Sequence, residues 1–211
     1  MTNVTFTPNV LDLAGRALAT ESARMAALGW MRGTSGNLST VLTTEPFRLA
    51  VTTSGSDKGE LTSRDVVVVD EDGRAVPDQP HPKYVPSAEA GLHARIATRT
   101  GAGAVIHVHA MSAVIAAERW PKGVVLRDLE MLKGIGHAAH DEEVRVPVIA
   151  NGQDMSVLGD AFEATHVPGV PVLLVARHGM YAWGRDLTQA RHHAEIIEWL
   201  LAFQIATAEE N

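Results

Sequence analysis

The 211-residue sequence contains no cysteine. Disulfides, iron–sulfur clusters, cysteine zinc fingers and thiol nucleophiles are therefore excluded. A metal would have to be held by imidazole and carboxylate ligands. Lysine is also scarce, at four, and the 18 lysines and arginines are outnumbered by 25 acidic residues, for a formal net charge of -7. Nucleic-acid binders carry a basic footprint, so no nucleic-acid partner is expected. No run of eighteen apolar residues occurs, so no membrane span is expected. The opening MTNVTFTPNV has no charged segment followed by an apolar one, so no secretory signal is expected. The cytoplasm is the compartment these absences suggest.

What is plentiful is histidine, with ten, and glycine, with eighteen. The remainder is an ordinary soluble composition, 45% hydrophobic and 20% charged. The length suits one domain over 1–211 with a substantial core. Helical spacing of apolar residues covers 9–28, with Asn9 as the expected N-cap and Gly29 at the C-terminal position. Two β-rich runs, Leu38–Thr43 and Arg48–Thr53, flank Pro46 and predict a hairpin. Asp65–Asp70 reads as a buried strand. Residues 76–86 hold four prolines and read as a loop. A helix is expected from Ser87, capped by its hydroxyl, to about Arg99. Strands follow at Ala104–Val108, Val146–Ala150 and Val170–Ala176, and helices at 111–118, 127–134, 154–166 and 188–208.

Hairpins and helical crossovers are mixed in this order. The expected fold is α/β: three α/β/α layers around a central mixed, mostly antiparallel sheet. A dinucleotide-binding fold is disfavoured, because the G-x-G at Gly101–Gly103 precedes its strand instead of following it.

The strongest chemical signal is VIHVHA at 105–110. His107 and His109 are two apart on a strand, so both rings point to one face. Two histidines fall short of a zinc site, which takes three or four protein ligands. His178, between an apolar strand and Gly179, is the third candidate. Coincidence in a histidine-rich chain is the competing explanation. Glu89 opens a helix with His93 at i+4. The pair could serve a metal or a proton relay, or Glu89 could simply favour the helix N-terminus. Glu130 sits beside leucine and methionine, which would suit it to proton transfer if buried. A solvated carboxylate is the plainer expectation. His137 and His140 lie in an acidic loop, His192 and His193 face different ways, and His81 and His166 are isolated. The polar loops GTSGN and TTSGSDK could hold a phosphate with backbone amides, hydroxyls and Lys58. Neither matches a Walker pattern.

In order, GTSGNLS (33–39), TTSG (52–55), PSAE (86–89), AVIHVHA (104–110) and RHG (177–179) resemble the class II aldolase/adducin family. The resemblance spans about 10–205. It implies an α/β/α mixed-sheet fold, His107, His109 and His178 as ligands of one zinc ion per subunit, and a homotetramer with sites at subunit contacts. Asn37, Ser54, Gly55 and Ser87 match the family's phosphate loops, and Lys58 is added from its charge. LEMLKGIG (129–136), GAGAVIHVH (101–109) and HGMYAWG (178–184) resemble the branch that dehydrates a methylthio-substituted ketose 1-phosphate. In that branch the acid/base is the glutamate at Glu130. In sugar-phosphate aldolases it is the glutamate at Glu89. An aldolase or epimerase of the same family is thus the alternative, and a non-catalytic adducin-like module the remote one.

Overall fold

A computed structural model describes residues 7–77, 79–80, 83–139 and 141–208. His81 and His140 lie outside the described residues. Helix α1 (Pro8–Ala27) is followed by the hairpin β1 (Asn37–Thr44) and β2 (Phe47–Thr52), then β3 (Val66–Val69), α2 (Ala90–Thr100) and β4 (Ala104–Val108). Next come α3 (Met111–Arg119), β5 (Val124–Arg127), a short 3-10 helix (Glu130–Ile135), β6 (Glu143–Val146) and β7 (Val148–Ile149). Helix α4 (Met155–Thr165), β8 (Val172–Val175), β9 (Gly179–Gly184) and α5 (Leu187–Thr207) complete the order.

Seven strands form one sheet in the order β3-β2-β1-β4-β9-β8-β7. Only β7 and β8 pair in parallel; the other neighbours are antiparallel. Side chains alternate across the sheet. On one face Leu38, Ile106, Val108, Leu174 and Ala182 pack against Leu18 of α1, Ala113 of α3 and Leu200 of α5. On the other, Val105, Leu173, Tyr181 and Trp183 pack against Leu92 and Ile96 of α2 and Phe162 of α4. The three-layer mixed, mostly antiparallel sheet is the expected fold.

Several local expectations are corrected. Thr7, not Asn9, occupies the N-cap of α1, because Pro8 at the first helical position fixes the entry. Gly29 does end that helix, with φ +76°. Helix α2 begins at Ala90 rather than Ser87, and the Ser87 hydroxyl serves Asn37 instead of capping a full turn. The expected strand 146–150 is two short strands around Pro147: β6 belongs to a separate two-stranded sheet with β5, while β7 joins the main sheet. β9 was not anticipated. Its sequence, GMYAWG, begins and ends in glycine, which weakens the strand signal.

Candidate metal centre

β4 lies between β1 and β9, and this sandwich aims its histidines. Asn37 pairs with His107 on one side, and Tyr181 pairs with His107 on the other. The approach is tight at two glycines. A Cβ at Gly36, which has φ +77°, would sit 2.9 Å from the His107 carbonyl oxygen, and one at Gly179 would sit 2.2 Å from that of Val108. A side chain at either would push the strand away from its neighbours. His109 follows β4 and is tied down by its backbone N–H, which donates to the Trp30 carbonyl at 2.9 Å. His178 sits in the turn from β8 to β9, next to Arg177 with its φ of +56°.

These placements bring one ligand nitrogen from each of His107, His109 and His178 within 4.8 Å of one another. The three rings meet edge to face, each pair 4.8 Å apart at the centroids. His107 is fully buried, and its Nδ1 lies 3.0 Å from the Met180 carbonyl. A carbonyl only accepts, so Nδ1 carries the proton and Nε2 presents its lone pair to the cluster. His107 Nε2 is 3.0 Å from His109 Nε2. Burial above all, against the opposing pull of Glu89, lowers the His107 pKa to about 3. Burial likewise lowers that of His109. Neutral imidazoles are the form a metal needs.

Glu89 closes the cluster. Its Oε2 is 3.3 Å from His107 Nε2 and its Oε1 is 3.1 Å from His178 Nε2. Asn37 Nδ2 donates to Glu89 Oε2 at 2.6 Å and to Ser87 Oγ at 2.8 Å. Burial alone would raise the carboxyl pKa. The bond to His178, the charge of His107 and the bond from Asn37 outweigh it and hold Glu89 well below the usual carboxylate range. Three imidazole nitrogens beside one carboxylate suit a divalent transition metal. His178 Nδ1 and Asn37 Oδ1 are buried and have no partner among the described residues, as befits groups arranged for a ligand.

A pocket of about 260 Å³ opens on this cluster. Asn37, Ser54, Gly55, Lys58, Ser87, Glu89, His109 and His178 all line it, with Gly152, Gln153 and Met155 on the far wall. The two polar loops thus meet over the histidines. Lys58 is 2% exposed, and its Nζ donates to the carbonyls of Thr34 at 3.0 Å and Ser56 at 2.8 Å, pinning one loop to the other. An ammonium has three donors, so one remains. Burial lowers the Lys58 pKa.

Glu130 is not brought to this place. It is absent from the pocket lining, its side chain is 75% exposed, and its Oε1 pairs with Lys133 Nζ at 2.6 Å. His93 shares a helix with Glu89 but stands apart from the metal cluster. It is buried, its Nδ1 is 2.7 Å from Ser39 Oγ, and its ring meets Tyr181 edge-on. His137 is engaged with Glu142 and the Gly169 carbonyl, and His193 with the Trp183 carbonyl.

Tyr181 escaped the sequence reading. Its ring stacks on His107 at 4.1 Å and 18°, and its hydroxyl is buried on the Glu89 side. Burial first, then the negative charge of Glu89, push that phenol well above its ordinary pKa. Strand periodicity could have found it, since Tyr181 is two residues from Gly179 and faces the side His107 faces.

The class II aldolase and adducin N-terminal domain model matches residues 16–205. A methylthioribulose-1-phosphate dehydratase from Persephonella marina is 38% identical, over 83% of this chain and 81% of that one. One from Geobacillus thermodenitrificans is 39% identical over 89% of each. Among solved structures, YgbL from Escherichia coli, described as a putative aldolase/epimerase/decarboxylase, matches with TM-score 0.78 and 18% identity, over 96% of this chain and 93% of that one. An L-fuculose 1-phosphate aldolase matches at 0.71 and 23%, over 97% and 89%. The chain belongs to the class II aldolase and adducin family.

Proposed function

We propose that this member of the class II aldolase and adducin family is a metal-dependent hydro-lyase. It removes water from 5-methylthioribulose 1-phosphate to give 2,3-diketo-5-methylthiopentyl 1-phosphate, a step of methionine salvage. The observation that carries the reading is the convergence of three histidine nitrogens and Glu89 at the floor of a pocket walled by two phosphate-type loops. Relatives at 38% and 39% identity bear the name of this activity.

His107, His109 and His178 would hold the metal, which we take to be zinc, one per subunit. A divalent ion there supplies Lewis acidity that makes the proton beside a ketone easier to remove. Asn37, Ser54, Gly55 and Ser87 bind the substrate phosphate, and the third N–H of Lys58 adds charge from beneath the loops. The phosphate fixes the ketose so that C2 faces the histidines. Glu89, ionised and held by Asn37, faces the His107 and His178 nitrogens, while burial keeps His107 and His109 neutral. Glu130 takes the C3 proton, and the C4 hydroxyl leaves as water once protonated. The enol so formed tautomerises to the diketone. The chain loses nothing and gains nothing over the cycle.

Exposed on its own chain, Glu130 reaches a pocket only from a second copy. The working unit is therefore an oligomer, which we take to be the homotetramer, with each site shared between neighbours. One observation favours the alternative, a sugar-phosphate aldolase: the glutamate inside the pocket is Glu89, not Glu130. The two readings separate on incubation of the metal-loaded protein with methylthioribulose 1-phosphate and, in parallel, with fuculose and rhamnulose 1-phosphates. Diketone formation that stops with a chelator is the expected result. Carbon–carbon cleavage without dehydration would move the chemistry to Glu89.

A further inference from the structure

A second cavity, of about 550 Å³, shares no lining residue with the histidine pocket. The two lie at opposite ends of the same elements. His178 precedes β9 while Trp183 is near its end, five residues and roughly 16 Å further along a strand. Glu89 begins α2 while Arg99 is in its last turn. The volume falls within the roughly 300–1,000 Å³ of small-molecule sites.

The lining is one-sided in charge. Arg99 from α2, Lys133 from the 3-10 helix, His166 after α4 and His193 of α5 face the cavity, and no aspartate or glutamate does. Burial lowers the His166 and His193 pKa values, so the positive charge of the lining comes from Arg99 and Lys133. Lys133 is paired with Glu130, which lies outside the lining. Arg99 makes no ion pair among the described residues. One wall is aromatic, where the His166 and Trp183 rings lie 6.1 Å apart and tilted by 33°. Trp183 is 6% exposed, and its position is fixed by the His193 Nδ1–H, which donates to its carbonyl at 2.6 Å. Gln189 receives the Arg185 N–H on Oε1 at 2.9 Å, so its amide nitrogen is turned to other partners.

We propose that this cavity is a second ligand site, separate from the metal centre, for a small phosphate-bearing anion with a flat ring. The phosphate meets the Arg99 guanidinium, whose planar fork suits phosphate oxygens. The ring lies against the His166 imidazole, which Trp183 backs from the core. Lys133 to Gly136 of this lining follow Glu130, so the cavity borders the face that the proposed function gives to a neighbouring copy.

The test is calorimetric titration of the purified chain with AMP and, separately, with inorganic phosphate. The expected result is saturable AMP binding that Arg99→Glu weakens at least about tenfold. Ser54→Glu, which places a carboxylate in the other pocket, should leave this binding unchanged. AMP should bind at least about tenfold tighter than inorganic phosphate, through the aromatic wall. Both variants alter exposed side chains, and circular dichroism checks that they fold. Absence of saturable binding overturns the proposal. So does binding abolished by Ser54→Glu and indifferent to Arg99→Glu, and so does AMP binding no tighter than phosphate. Failure of Ser54→Glu to affect turnover of the ketose phosphate would instead count against the reading of the metal pocket.

Discussion

The histidine cluster and the Glu130 segment both carry motifs of the family, yet they are built in opposite ways. His107 is fully buried in a central strand, fenced by glycines on two sides and stacked on Tyr181. Glu130 opens a short 3-10 helix, projects into solvent and holds only Lys133. A ligand must be preorganised, because a metal site tolerates errors of only a few tenths of an ångström. A proton carrier supplied by another subunit must instead stand out from the surface. On the proposed function, the exposure of Glu130 is what service to a neighbouring copy requires.

The comparison can be broken at its rigid side first. His107→Ala should remove the metal and lower turnover roughly a thousandfold or more, since ligands matter more than the outer partners worth 10–100-fold. Metal content by atomic absorption and diketone formation measure the two effects together. A variant that retained full metal would refute the ligand assignment. Next in size is Gly179→Ala. Its Cβ would collide with the Val108 carbonyl, and about 3 kcal/mol of stability should go. Urea denaturation reads this directly. Glu130→Gln, in contrast, should leave both the urea midpoint and the metal content unchanged while activity falls. A large loss of stability there would erase the distinction between the two regions.

A smaller effect concerns acid. Burial first, opposed by the charge of Glu89, lowers the His93 pKa from 6.5 to about 4. The unfolded chain therefore binds a proton at His93 at a pH where the folded chain does not. Stability on this account falls as pH drops from about 6.5 to about 4, by about 3 kcal/mol, and is not recovered below that. Comparing denaturation curves of the wild type and His93→Gln at pH 7 and pH 4.5 should show a shallower acid loss in the variant. Equal losses would mean that His93 charges readily in the fold.

Much of this was legible in the amino-acid sequence. The period-two placement of His107 and His109, the His-Gly pair and the two polar loops predicted one site, and the structure gathers them around one pocket. The sheet class followed from a hairpin followed by crossovers. β9 was not legible, because two glycines and a motif reading hid a strand whose central residues are fully buried. The helix starts misled for a related reason. Pro8 sets the start of α1, and the Ser87 hydroxyl is shared between Asn37, fifty residues away, and the Glu89 N–H at the N-cap of α2. Lys58 was read for its charge alone, and its principal contacts proved to be loop carbonyls. Long-range pairings of this kind leave no local trace.

The claim that the metal centre comes from one chain and the proton carrier from the next is tested most directly by mixing two inactive variants. His109→Asn cannot hold the metal, and Glu130→Gln cannot move the proton. Unfolded together and refolded as mixed oligomers, they should regain diketone formation, to about a quarter of the wild-type rate if each site draws on one neighbour. Activity no higher than that of either variant alone would place both groups on the same chain and contradict the account.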